Sequence, residues 1–143
     1  KAHDLGYACE FYLDAKEKLY IEECSGANFF AVRDNTYITP LSDTILPSIT
    51  NRSLQQIALD LGMQVEERPV PYTELAIFDE AAACGTGAAI CPVSKIIDPA
   101  QNHIYQFGDG TPGMWCRKLY QAITDIQYGR AEDTHHWCEI INP

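Results

Sequence analysis

The sequence is poor in basic residues. Its 143 residues include 10 lysines and arginines against 20 aspartates and glutamates, which gives a formal net charge of −10. Because nucleic-acid phosphates and anionic membrane surfaces are bound mainly by clustered Lys and Arg, this balance argues against both as partners. The chain also has no apolar run near the roughly 18 residues that a membrane span requires. We therefore expect a partner that is neither nucleic acid nor membrane.

The common signatures of nucleotide, hydrolase and metal chemistry are absent too. There is no P-loop, no GxGxxG fingerprint and no Ser-His-Asp arrangement. The six cysteines lie far apart, with Cys84 and Cys91 as the nearest pair, whereas zinc ligands usually come as Cys-x-x-Cys or similarly close pairs. The two histidines and the cysteine within 135–138 are the alternative zinc ligands. We expect no metal site.

The composition is that of an ordinary globular domain. Hydrophobic residues make up 46 %, so a chain of this length buries a single core without disulfides. We interpret the cysteines as reduced thiols and expect a cytoplasmic protein. The chain opens Lys1-Ala2-His3-Asp4, without an initiator methionine or a secretory signal pattern. We expect residues 1–143 to be one domain of a longer polypeptide.

Strand and helix signals mix along the chain. Leu54 to Leu61 carries apolar residues at helical spacing, with Thr50 as the predicted N-cap and Gly62 as the stop. Two further helices are predicted at 71–78 and 112–128. Apolar segments bounded by polar turns predict short strands at 10–13, 19–23, 29–32, 37–39, 65–70, 80–84, 93–97 and 104–107. The fold class is therefore α/β or α+β.

Three segments can carry chemistry, and each also has a plainer explanation. The helix start at Ile49-Thr50 presents free N–H groups that suit an anion, although every helix has such an end. The small residues of Gly85-Thr86-Gly87 let a ligand approach the backbone, or they form only a turn. Glu22-Glu23 at a strand end faces a cleft, or it is a solvated acidic pair. Alone, these segments indicate a soluble domain with anion-binding loops.

Together, and in their order along the chain from Glu22 through Ile49 to Gly85, the three segments resemble branched-chain aminotransferases, which are fold-type IV pyridoxal-phosphate enzymes. The early motifs are shared with D-amino acid aminotransferases, and the C-terminal stretch is more particular to the branched-chain group. The similarity runs over nearly the whole chain and is carried by Glu22-Glu23-Cys24-Ser25-Gly26-Ala27-Asn28-Phe29-Phe30, Ile45-Leu46-Pro47-Ser48-Ile49-Thr50, Gly85-Thr86-Gly87-Ala88, Thr124-Asp125-Ile126-Gln127-Tyr128-Gly129, Glu132-Asp133 and Trp137.

The resemblance implies the C-terminal large domain of this fold type, a mixed sheet or pseudo-barrel flanked by helices. It also implies contacts with the pyridine ring of pyridoxal phosphate. Glu23 would pair with the ring nitrogen, and an adjacent anion favours the protonated form of that nitrogen. Leu46 would pack against the ring.

The remaining matched residues imply phosphate and substrate contacts. The backbone amides of Ile49 and Thr50 would hold the cofactor phosphate, together with Thr86 and the neighbouring Gly85. The amides of Thr86 and Gly87 would also meet the substrate carboxylate. These assignments turn the helix start and the glycine turn into specific expectations.

The chain departs from the family pattern at several positions. Ser48 stands where the family usually has glycine, and Gly87 where alanine is common. Ala88 occupies the first position of the redox Cys-x-x-Cys of some members, which leaves only Cys91, so we expect no such switch. The Schiff-base lysine of the family lies upstream of Glu23 in a glycine-rich context that Lys1-Ala2-His3-Asp4 does not match. We therefore expect no catalytic lysine in this chain.

The implied enzyme is a homodimer that moves the amino group of leucine, isoleucine or valine to 2-oxoglutarate. The chain alone is expected to be inactive, and to bind pyridoxal phosphate weakly or not at all. Two alternatives stay open. One keeps the fold but changes the reaction, to a D-amino acid aminotransferase or an aminodeoxychorismate lyase. The other is a naturally truncated, non-catalytic binding or dimerisation module.

Overall fold

The computed structural model of the chain describes residues 4, 6–139 and 141. Within these residues the chain forms nine strands, two α-helices and a 3₁₀ helix (Tyr72–Ile77). None of these helices is long and apolar enough to cross a membrane. The α-helices are α1 (Ile49–Asp60) and α2 (Met114–Gln127), and the strands are β1 (Phe11–Leu13), β2 (Ile21–Cys24), β3 (Ala27–Arg33), β4 (Thr36–Pro40), β5 (Gln64–Arg68), β6 (Glu80–Gly85), β7 (Ala89–Val93), β8 (Lys95–Asp98) and β9 (His103–Gln106).

Strand β3 is the centre of a seven-stranded mixed sheet. Ala31 pairs with β4 and also with β6, so these two strands lie on opposite edges of β3. Asn28 likewise pairs with both β2 and β6. One edge of β3 is thus shared by β2 at its start and β4 at its end, while β6 runs along the other edge. β1 extends the sheet beyond β2, and β7 extends it beyond β6.

Helix α1 connects the only parallel pair of strands among the described residues. β4 and β5 pair in parallel from Thr36 opposite Gln64 to Pro40 opposite Arg68. A parallel pair needs a crossover connection, and a helix is the usual one. The loop 41–48 and α1 provide this connection, so the start of α1 lies just beyond the end of β4.

The sheet is covered on both faces. On one face, α1 and α2 pack on a core that contains Phe30, Tyr37, Leu54 and Leu119. The other face packs against the 3₁₀ helix, the β8–β9 hairpin and the residues around Val70. A sheet flanked by helices and by a second layer matches the predicted α/β or α+β class.

Most predicted elements are present, with shifted ends. The predicted strand 93–97 is split in the structure. Val93 ends β7, Ser94 is a bend and residues 95–97 lie in β8, while the rest of β7, which contains Pro92, is not predicted by the sequence. The predicted N-cap is wrong. Ser48 caps α1 by accepting a hydrogen bond from the Asn51 amide at 3.1 Å, and Thr50 is buried in the first turn.

An internal carboxylate caps helix α2. Glu80, at the start of β6, accepts hydrogen bonds from the amides of Trp115 (2.9 Å) and Cys116 (2.8 Å). A negative charge at a helix N-terminus also interacts favourably with the helix dipole. The N-cap residue itself is Gly113, and a Cβ at this position would collide with the Glu80 side chain. The glycine therefore makes room for the carboxylate that caps the helix.

Three of the six thiols are buried in the cores. Burial raises the pKa of the thiols of Cys24 and Cys84 to about 12. Burial, and then the nearby Glu80 carboxylate, also raise the pKa of the Cys116 thiol well above its ordinary value. Cys9, Cys91 and Cys138 are exposed, and no cysteine is in a disulfide.

We expect Glu80 and Gly113 to be energetically coupled. Gly113→Ala should destabilise the chain by about 1–3 kcal/mol, because the methyl group displaces the Glu80 side chain. Glu80→Ala should cost about 1–2 kcal/mol, because the two amides lose their acceptor. In the double variant the clash is gone, so its cost should be smaller than the sum. Urea denaturation of the four proteins measures this coupling, and strictly additive costs would contradict it.

We expect only the exposed thiols to react in the folded chain. At pH 8 a thiol with a pKa near 12 is ionised in about one molecule in ten thousand, and the thiolate is the reactive form. Iodoacetamide should therefore modify Cys9, Cys91 and Cys138 in the native chain and all six cysteines in urea, as counted by mass spectrometry. Rapid native modification of Cys24 or Cys84 would show that the sheet opens at that site.

Candidate functional site

Residues from three strands form one cross-strand row at an end of the sheet. Glu23 of β2 pairs with Asn28 of β3, which in turn pairs with Cys84 of β6. The side chains of paired residues point to the same face of a sheet. Cys84 belongs to the helix-side core, so Glu23 lies in a row directed towards the helix-covered face. Its carboxylate makes no hydrogen bond or ion pair with any described residue.

The loop 41–48 lies against this row. The side-chain amide of Asn28, which is buried, donates a hydrogen bond to the Leu46 carbonyl at 2.9 Å. The Leu46 side chain itself is 72 % exposed. The contact therefore places the exposed apolar side chain of Leu46 next to Asn28, the neighbour of Glu23 in the row. Such a side chain could pack against a planar ring.

The start of α1 presents free backbone donors next to this loop. Ser48 accepts from the third amide of the helix, that of Asn51. The first two, those of Ile49 and Thr50, have no acceptor among the described residues. Free amides at a helix N-terminus bind anions such as phosphate, aided by the helix dipole. The Ser48 side chain therefore caps the helix without occupying these two amides.

A buried hydrogen-bond network fixes the first turn of α1. The Tyr37 hydroxyl donates to Oδ1 of Asn51 at 2.7 Å, and Nδ2 of Asn51 donates to Oγ1 of Thr39 at 3.0 Å. Thr39 donates in turn to the carbonyl of Phe29 in β3 at 2.9 Å. Fully paired buried polar groups favour one geometry, because an unpaired one is costly. The helix start is therefore held by the strands beneath it.

The segment Gly85-Thr86-Gly87 forms the turn between β6 and β7. Gly85 ends β6 opposite Ala89, whose φ of 54° is in the left-handed region. The Thr86 side chain is exposed and has no partner among the described residues. No heavy atom lies within 4 Å of where a Cβ of Gly85 or Gly87 would be. The turn follows Cys84, so it lies at the same end of the sheet as Asn28 and Glu23.

The structure thus brings all the sequence-predicted site residues to one end of the sheet. Glu23 offers a free carboxylate, Ile49 and Thr50 offer amides, and Thr86 offers a hydroxyl. Leu46 and the two glycines complete the set. None of these groups carries a positive charge, so an anion would be held here by hydrogen bonds and the helix dipole.

The four described lysines lie elsewhere. Lys16 and Lys18 are in the turn before β2, where Lys16 pairs with Glu17 at 3.7 Å. Lys95 is in β8 opposite Gln106. The Lys118 ammonium on α2 lies 4.7 Å from the ring centroid of Trp115. Lys1 lies outside the described residues.

Sequence reasoning missed three residues at this site. Glu22, for which the sequence left a cleft-facing and a solvated position open, accepts hydrogen bonds from the hydroxyls of Ser42 and Thr44. Asn28 and Asn51 anchor the loop and the helix start. The only signal for them was a polar residue in an otherwise apolar strand for Asn28, and nothing in the local sequence distinguished the other two.

The described residues contain no group of three or more His, Cys, Asp or Glu side chains that could hold a metal ion. The cluster at 135–138 has other contacts. His135 lies 2.6 Å from Asp60 of α1 and stacks on Trp137, while the amide of Cys138 donates to Asp133.

Comparison with known proteins gives consistent results. Residues 11–96, more than half of the chain, match the model of the amino-transferase class IV family. The branched-chain-amino-acid aminotransferase of Haemophilus influenzae is 43 % identical over 133 residues, which are 92 % of this chain and 38 % of that protein.

Solved structures agree. The branched-chain amino acid aminotransferase of Escherichia coli superposes with a TM-score of 0.85 at 31 % identity, over 99 % of this chain and 45 % of that one. The enzyme of Thermobaculum terrenum in its PLP form gives 0.79 at 35 % identity, over 91 % and 40 %. The chain spans less than half the length of these relatives. It belongs to the class IV aminotransferase family and has the fold of its branched-chain members.

Proposed function

We propose that this chain is the cofactor-binding part of a branched-chain amino acid aminotransferase. The intact enzyme would transfer the amino group of leucine, isoleucine or valine to 2-oxoglutarate. One observation carries this proposal. Three sets of groups lie at the same end of the sheet: the free carboxylate of Glu23, the unpaired amides of Ile49 and Thr50, and the turn that contains Thr86. The family membership and the names of the relatives support the reaction.

The residues present fit pyridoxal phosphate. When bound, the cofactor supplies an electron sink that makes removal of the substrate α-proton easier. Glu23 would accept a hydrogen bond from the protonated ring nitrogen, because its carboxylate has no other partner. Leu46 would cover a face of the ring and exclude water from it. A relative of the same fold has been solved in its PLP form.

The amides of Ile49 and Thr50 would bind the phosphate of the cofactor. They are the free donors of the first turn of α1, and the Asn51 network holds that turn in place. Thr86 would add a hydroxyl donor, with Gly85 allowing the close approach. The amides of Thr86 and Gly87 would orient the substrate carboxylate, which is also an anion.

The catalytic lysine is assigned to a part of the polypeptide outside these residues. The described lysines lie in the turn before β2, in β8 and on α2, away from the candidate site. The relatives are also more than twice as long as this chain. We propose that residues 1–143 form one cofactor-binding domain, which is inactive alone. The intact enzyme would be a homodimer, and a cytoplasmic location remains a prediction.

We expect the chain to bind pyridoxamine 5′-phosphate weakly, through its phosphate. This probe has no aldehyde, so it cannot react with surface lysines. Pyridoxamine without the phosphate should bind at least tenfold more weakly. Thr86→Ala should weaken binding of the phosphate form roughly fivefold to tenfold, because it removes one hydrogen bond to a charged group. Calorimetry or ligand fluorescence measures the dissociation constants.

Thr73→Ala is the matched control, because Thr73 is exposed on the 3₁₀ helix. It should leave binding unchanged. Equal affinity for the two probes, or equal loss in both variants, would contradict the assignment of the phosphate contacts.

We expect the full-length protein to prefer L-leucine over D-alanine as amino donor to 2-oxoglutarate. The chain alone should give no glutamate with either donor, even with added pyridoxal phosphate. Coupled assay of 2-oxo acid formation measures both rates. Preference for D-alanine would favour a D-amino acid aminotransferase of the same fold, and turnover by the chain alone would show that it contains the catalytic lysine.

A further inference from the structure

The side chain next to the proposed ring partner has contacts of its own. Oε1 of Glu22 accepts hydrogen bonds from the hydroxyls of Ser42, at 3.4 Å, and Thr44. These hydroxyls also lie 2.7 Å from each other, and the Thr44 amide donates to Oγ of Ser42 at 3.3 Å. Glu22 therefore holds one compact turn of the loop 41–48.

Few other contacts fix this loop. Asn28 binds the Leu46 carbonyl, and the amide of Leu41 donates to the Arg68 carbonyl at 2.9 Å. The side chains of Leu41 and Leu46 are exposed, so no apolar anchor buries them in a core. The position of the loop depends on its polar contacts, because it lacks the regular hydrogen bonds and buried side chains that order a segment.

The loop leads directly into the proposed phosphate amides. Ser48 follows it as the N-cap of α1, and Ile49 and Thr50 come next. Glu22, which binds the loop, is the immediate neighbour of Glu23 in β2. One short chain of contacts thus links the proposed ring partner to the proposed phosphate site.

We propose that Glu22 is a positioning residue, which ties the loop 41–48 to the β2–β3 hairpin and so sets the spacing between the Glu23 carboxylate and the amides of Ile49 and Thr50. The inference rests on the proposed function. The inference assigns different roles to the two adjacent glutamates. Glu23 contacts the ligand, and Glu22 contacts the loop that carries the other half of the site.

Glu22 is bound by the hydroxyls of Ser42 and Thr44, which donate hydrogen bonds to it. The expected effect of a substitution at position 22 therefore depends on whether the new side chain can accept hydrogen bonds. A glutamine at position 22 still offers an Oε1 that accepts from both hydroxyls, whereas an alanine offers nothing. Glu22→Gln should therefore behave almost like the wild-type chain, and Glu22→Ala should release the loop. Thr44→Ala removes the partner from the exposed side and avoids a change in the sheet.

The first measurement needs no ligand. ¹⁵N relaxation of the chain should show ordered amides over residues 43–46 in the wild type and in Glu22→Gln. In Glu22→Ala and Thr44→Ala, the order parameters of these amides should fall towards values below about 0.6, which are typical of flexible backbone. Order parameters in α1 and β3 should stay unchanged. Glu67→Ala is the matched control, because Glu67 is an exposed glutamate of β5.

The second measurement is the affinity for pyridoxamine 5′-phosphate. Glu22→Ala should weaken it about fivefold, with Glu22→Gln within twofold of the wild type. The double variant Glu22→Ala/Thr44→Ala should be no worse than Glu22→Ala, since Glu22→Ala already removes the contact between Glu22 and Thr44.

The outcomes separate the two proposals. An unchanged loop in Glu22→Ala overturns the positioning role and leaves the proposed function intact. A wild-type chain that does not bind the probe contradicts the proposed cofactor site, while the relaxation data still decide whether Glu22 holds the loop. If Glu22→Ala does not fold, Thr44→Ala carries the test, and ordered amides over residues 43–46 in that variant overturn the inference.

Discussion

Strand β3 has no free edge and no free face over most of its length. Five of its seven residues are buried between the two cores, and it is hydrogen-bonded to β2 and β4 along one edge and to β6 along the other. Its register therefore fixes three neighbouring strands at once, and a one-residue slip would exchange the residues of the two cores. Asn28, at the start of this strand, connects the fixed strand to the candidate site through its hydrogen bond to the Leu46 carbonyl.

The proposed site would hold an anion in a chain that is itself strongly acidic. Free amides, a hydroxyl and a helix dipole bind negative charge without a basic side chain. Such donors do not titrate between acid and neutral pH, unlike a histidine. The free carboxylate of Glu23 lies in the cross-strand row at the same end of the sheet, where it suits a protonated nitrogen. The ligand that we propose for these groups has a phosphate at one end and a cationic ring nitrogen at the other.

The sequence motifs located the candidate site, but they did not predict the side chains that support it. Residues that would touch a ligand sit in short, contiguous motifs, so the motifs around Glu23, Thr50 and Thr86 could be recognised in one dimension. The structure brings them to one end of the sheet. The side chains that support the site contact residues far away in the sequence. Glu80 caps a helix 35 residues further on, and no local pattern predicts such a contact.

The two errors in the secondary structure have physical reasons as well. Ser48 and Thr50 are both good capping residues, and the path of the chain out of β4 decides between them. Pro92 argues against a strand in a sheet interior, but β7 pairs only with β6, and an edge strand tolerates proline on its open side.

The β4–α1–β5 unit has a consequence for how the site forms. Its strand pairing, its crossover helix and all of the Asn51 network except the Phe29 carbonyl lie within residues 36–68. The amides of Ile49 and Thr50 are therefore positioned mainly by contacts of short sequence separation. Thr86 arrives only when β6 adds to β3, with Asn28 opposite Cys84, which closes a loop of more than fifty residues. Loop-closure entropy makes such a contact late in folding. We therefore expect the amides of Ile49 and Thr50 to be positioned before Thr86, which would complete the proposed phosphate site and orient a substrate.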